Sequence, residues 1–108
     1  MESQQAIGEL LRQARELSGT TVSQFAALLK VAPSSVSHAE RDFAVGSDDF
    51  ILHSLQLAAR LLAEKYAVSH EERWTREGCI EELRMMVVFS RAADLQTAIQ
   101  SLPPSARA

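Results

Sequence analysis

The chain has 108 residues, 46% hydrophobic and 23% charged, with four Gly, three Pro and one Cys, which is one globular domain's worth and excludes collagen-like, low-complexity and wholly disordered classes. Its formal charge is −3, from 11 Lys and Arg against 14 Asp and Glu, a balance that does not advertise a nucleic-acid partner. A lone cysteine leaves no intrachain disulfide, no apolar run approaches the ~18 residues of a membrane span, and Met1-Glu2-Ser3-Gln4-Gln5 is not signal-like, so the expected location is cytoplasmic, with no membrane.

Taken in chain order, the periodicity is helical nearly throughout, and the expected class is all-α. Ile7, Leu10, Leu11, Ala14 and Leu17 recur at three and four residues and make one apolar stripe. Gly19 suits a left-handed helix cap, and Thr20 or Thr21 can open the next helix. A short helix over Val22–Leu29 carries Phe25, Ala26, Leu28 and Leu29. Lys30-Val31-Ala32 is a tight link, and Pro33 opens a third helix, where a missing N–H costs nothing. That helix, Pro33–Arg41, turns Val36 and Ala39 inward and leaves Ser34, Ser35, Ser37, His38 and Arg41 on the other side. After a loop over 42–46, Ser47 is an N-cap for a fourth helix over 48–67, with Ile51, Leu55, Ala58, Leu62 and Tyr66 on one face.

Ser69-His70-Glu71-Glu72 has the spacing of a capping box, which predicts a helix over 71–102. Within it, Met85-Met86-Val87-Val88-Phe89 fits a buried helical turn or a short strand, and its neighbours favour helix. Pro103-Pro104 ends the helix, and 103–108 reads as a disordered tail.

Two short helices joined by a three-residue link, the second polar and serine-rich on one side, form a helix-turn-helix. The stretch over 7–42 resembles the phage-repressor (Cro/XRE-type) helix-turn-helix family. The matching residues are Ile7-Gly8-Glu9-Leu10-Leu11-Arg12-Gln13-Ala14-Arg15, Gly19, Phe25-Ala26, Leu29, Val31 and Val36-Ser37-His38-Ala39-Glu40-Arg41, about a third of the chain. The resemblance implies a four-helix DNA-binding domain over 1–68 whose third helix enters the major groove. Ser34, Ser35, Ser37 and His38 then read base edges, His38 by donating to guanine N7 or O6. Lys30, Arg41, Thr20 and Thr21 contact phosphates. Arg15 and Glu40 match a structural pair tying the first helix to the end of the third. Three positions differ from the family's usual residues: Val22 replaces a phosphate-binding Gln, Lys30 a turn Gly, and Ala32 a capping Ser or Thr.

Residues 1–45 carry four bases against five acids, so with Arg15 paired about three cations per subunit remain for phosphates. The rest of the chain is too rich in large apolar residues for a linker. Residues 69–102 therefore read as a C-terminal helical dimerisation segment, with Leu83, Met86, Val87 and Phe89 at the interface of a homodimer. The competing arrangement folds these helices back onto the fourth helix of the same chain. His38, His53 and His70 lie too far apart for a local metal pair, no glycine loop cradles phosphate, and no catalytic constellation appears, so neither enzyme, metal nor cofactor is expected. The functional expectation is a transcriptional regulator, a repressor, binding an inverted repeat of double-stranded DNA as a homodimer. Its rival is a protein-interaction module, an antiactivator or inhibitor with a protein partner, that keeps the scaffold without binding DNA.

Overall fold

The apolar stripe of the first segment becomes the floor of the core in a computed structural model that describes residues 4–41, 48–103 and 105. Five helices run α1 (Gln4–Leu17), α2 (Val22–Leu29), α3 (Pro33–Arg41), α4 (Asp48–Tyr66) and α5 (Arg76–Gln100), with no strand among the described residues. Ser47 and the loop over 42–46 lie outside the described residues, as do Pro104 and 106–108 of the expected tail. Leu11, Phe25, Val36, Leu55, Leu62 and Leu83, one or more from every helix, share a single buried cluster. At ~25 cal/mol per Å² of apolar surface removed from water, each of these side chains contributes roughly 2 kcal/mol.

Three helices end in the same way. The N–H of Thr20 donates to Arg15 O, that of Val31 to Ala26 O and that of Val68 to Ala63 O, at 3.2, 3.0 and 2.9 Å. These are the six-to-one hydrogen bonds of a Schellman closure, and each requires a left-handed residue just before the donor. Gly19 takes that conformation without strain at φ 76°; Lys30 and Ala67 take it at φ 59° and 56° despite their Cβ atoms.

The second half departs from expectation. No helix starts at Ser69: residues 67–75 are non-helical, and Thr75 is the N-cap of α5, its side chain accepting from Gly78 N. The extended segment returns along α4, where the Gln56 amide donates to Arg73 O, so α5 begins beside the middle of α4 and draws level with the last residue of α4 at Asp94, which accepts from Tyr66 at 2.8 Å. The two helices thus run in the same direction, which a turn at 69–72 would not allow.

Met85 to Phe89 is helical, and its phase corrects the expected interface. Cys79, Leu83, Met86, Val87 and Ser90 form a buried stripe at helical spacing. Leu83, Met86 and Val87 are 0%, 6% and 4% exposed in the core with α1 and α4. They hold this chain together and are not available to a second copy; of the four expected interface residues only Phe89 is substantially exposed.

Candidate nucleic-acid interface

The polar face of α3 is set by what lies behind it. Val36 and Ala39 pack into the core with Phe25 and Ala26 of α2, fixing the rotation of a helix only nine residues long. On the α1 side the backbones meet almost directly: a Cβ on Gly8 would sit 2.6 Å from Glu40 O and 2.7 Å from Ala39 O. Only glycine permits that approach.

Arg15 and Glu40 lock the same crossing. Arg15 Nε donates to Glu40 Oε2 at 2.6 Å and Nη2 donates to Oε1 at 3.1 Å, while Nη1 reaches Thr20 O at 2.9 Å. The side chains are 12% and 7% exposed, so this is a forked, nearly buried pair whose charge is spent inside the chain.

With its back fixed, α3 presents Pro33, Ser34, Ser35, His38 and Arg41 to solvent. Ser34, Ser35, His38 and Arg41 fall at i, i+1, i+4 and i+7, which is one helix face. Ser37 is set apart from them. It is half-buried at the flank, in a cleft of about 540 Å³ shared with Glu9, Arg12, Glu40 and Arg41, and its carbonyl accepts from Arg41 Nε at 3.3 Å.

The start of α2 is capped reciprocally: Thr21 Oγ1 accepts from Gln24 N and Gln24 Oε1 accepts from Thr21 N. The Thr21 hydroxyl keeps its proton to donate outward. Thr20 is half-buried, its hydroxyl bonded to that of Ser18 at 2.9 Å. Lys30 is exposed at the corner between α2 and α3.

Arg12, which sequence counting left among the phosphate-binding cations, is also spent. It bridges Glu9 and Glu16 on the exposed face of α1. Hydrogen bonds from Arg12 hold the Glu9 carboxyl below its ordinary value, and Glu9 in turn raises the Arg12 guanidinium. The i, i+3 and i, i+4 spacing of these three residues is a signal the sequence contained. On the α2–α3 face the described cations are therefore Lys30 and Arg41.

A second polar cluster lies away from this face, between the return segment and α5. His70 Nδ1 meets Glu82 Oε1 at 2.5 Å, and Arg73 Nε donates to Glu82 Oε2 at 3.1 Å. Glu82 is thus drawn inward to 15% exposure. His70 Nε2 is buried without a hydrogen-bond partner among the described residues. Cys79 is buried beside them and donates to Arg73 O at 3.3 Å; burial first, then Glu82, push its thiol pKa up, which makes it a packed group and a poor nucleophile. Among the described residues no group of three or more His, Cys, Asp or Glu is placed to hold a metal ion, and no helix is long and apolar enough to cross a membrane.

Compared with protein-family models, with curated proteins and with solved structures, the chain matches none.

Proposed function

We propose that the chain is a sequence-specific DNA-binding transcriptional regulator, a repressor of the phage-repressor helix-turn-helix type acting in the cytoplasm, with α3 as the helix that enters the major groove. The observation that carries this reading is the α3 face itself. Short hydrogen-bonding side chains, Ser34, Ser35 and His38, stand on one side of a helix immobilised from behind by Gly8 and the Arg15–Glu40 fork. Such side chains sit close to base edges when a helix lies in the groove. Lys30 and Arg41 flank them as phosphate contacts, with the Thr21 hydroxyl as a neutral third. Ser37 supports the flank in this reading. Two copies bring two such faces to the half-sites of an inverted repeat.

Selection from a randomised duplex library tests the reading, and a two-fold symmetric motif is the expected recovery. His38→Ala is expected to relax preference at one base pair per half-site, whereas Arg41→Ala weakens all duplexes alike. Two cations per copy give a shallow salt dependence, a log–log slope of roughly −4 for a dimer. No enrichment at near-physiological salt overturns the reading.

One observation favours a second reading, a protein-interaction module that uses the same scaffold to inhibit a regulator or enzyme. Arg12 and Arg15 are both neutralised by carboxylates of this chain, so little positive field faces outward. Failure to bind heparin, together with failed duplex selection, moves the weight to it.

A further inference from the structure

α5 carries two apolar stripes, and the core uses one. The other is Met85, Val88, Ala92, Leu95 and Ile99, continued just past the helix end by Leu102, and it is spaced alternately by three and four residues. That is the 3.5-residue period of a coiled-coil seam. Met85, Val88 and Leu95 are 67%, 69% and 63% exposed, and no charged residue interrupts the row. α5 also continues beyond the end of α4: past Asp94, beside Tyr66, every residue to Gln100 is exposed. A helix half outside its own core, apolar along one line, is built to pack against something else.

We propose that this seam pairs with the same seam of a second copy, the two α5 helices lying antiparallel across a two-fold axis. The size fits. With roughly 100 Å² left in water by each of Met85, Val88, Leu95, Ile99 and Leu102, the row offers about 500 Å² per copy, and Phe89 at its flank adds about 100 Å², most of the ~800 Å² each partner contributes to a standard interface. Flanking polar residues such as Arg91 and Gln96 supply the remainder.

The row's one small residue chooses both partner and direction. In a parallel pair Ala92 faces the partner's Ala92 and leaves a hole in the central layer. Reversed, the row complements itself: Ala92 meets the partner's Leu95, Val88 the partner's Ile99, and Met85 the partner's Leu102. The one small residue then faces a large one on each side of the axis, and no layer pairs it with itself. This pairing stands on α5, and it is measured without DNA, so its failure and that of the DNA reading are separable.

Sedimentation equilibrium of the full chain tests it up to about 100 μM, where even a micromolar contact is filled. The expected mass is twice 11.9 kDa. Leu95→Asp combined with Ile99→Asp is expected to halve it without loss of helicity, because both positions lie outside the buried cluster. A mixture of Val88→Cys and Ile99→Cys proteins is expected to form a disulfide-linked heterodimer under oxidation, while Ile99→Cys by itself does not cross-link. A wild-type monomer throughout that range overturns the pairing. So does a dimer that survives the double aspartate variant. Self-cross-linking of Ile99→Cys overturns the antiparallel direction.

Discussion

Glu40→Ala removes one half of the fork that binds α3 to α1, and the structure fixes how much that costs. An exposed ion pair is worth up to about 1 kcal/mol, because water competes for both partners. Here the partners are 12% and 7% exposed, and loss of the carboxylate strands a guanidinium with Thr20 O as its remaining acceptor in the set. Breaking such a pair costs about 3–5 kcal/mol, and the lower figure is the better choice because Arg15 has a sliver of solvent to turn toward. About 3 kcal/mol corresponds to a fall in Tm on the order of 10 °C for a domain of this size. Urea unfolding followed by circular dichroism measures it directly, with the slope of the transition unchanged. The paired variant Arg15→Met, Glu40→Leu provides the internal control: with both charges gone, stability is expected back within ~1–2 kcal/mol of the wild type. A loss below about 1 kcal/mol for Glu40→Ala refutes the reasoning, since the fork would then behave as a surface pair.

Gly8→Ala is expected to destabilise by roughly 1–3 kcal/mol, because backbone oxygens of α3 cannot move aside as a side chain would, and this outweighs the ~1 kcal/mol that alanine adds in an exposed helix; thermal unfolding checks it. Lys30→Gly and Ala67→Gly each relieve a left-handed residue with a Cβ and are expected to raise stability by about 0.5–1 kcal/mol, whereas Gly19→Ala lowers it by a similar amount. Burial, then the hydrogen bond to Asp94, push the Tyr66 hydroxyl up to about 12 from 10.0. Since the folded form holds this proton more tightly, its contribution is full below pH 10 and is lost as pH rises through about 12. Tyr66→Phe is expected to flatten that alkaline limb in denaturation measured across pH.

The first half of the fold was readable because its signals are local and mutually consistent. The stripe Ile7, Leu11, Ala14 has one period, Pro33 suits only a first turn, and Gly19 suits only a left-handed cap. The second half was not, for two physical reasons. Ser69 and Thr75 are both competent caps, Ser69 with the better box at Glu72, and packing of Cys79, Leu83, Met86 and Val87 onto α4 decides for Thr75. Five apolar residues in a row, Met85 to Phe89, contain no phase of their own; Leu83 before them and Ser90 after them supply it. Arg12 and Glu82 show the same limit for charges. Whether a charged side chain faces a partner or a nucleic acid is decided by neighbours, some of them, such as His70, distant in sequence.

The helix ends Leu17 and Tyr66 meet Asp94 of α5 at one corner of the molecule. Lys65 Nζ donates to Leu17 O at 2.5 Å and sits 5.4 Å over the Tyr66 ring, whose hydroxyl holds Asp94. Leu17 is two residues from Arg15, which grips α3. In mechanical terms the projecting end of α5 is a crank, and this corner is its bearing. The bearing is seated at Leu17, within one turn of Arg15, whose fork to Glu40 sets the pitch of α3.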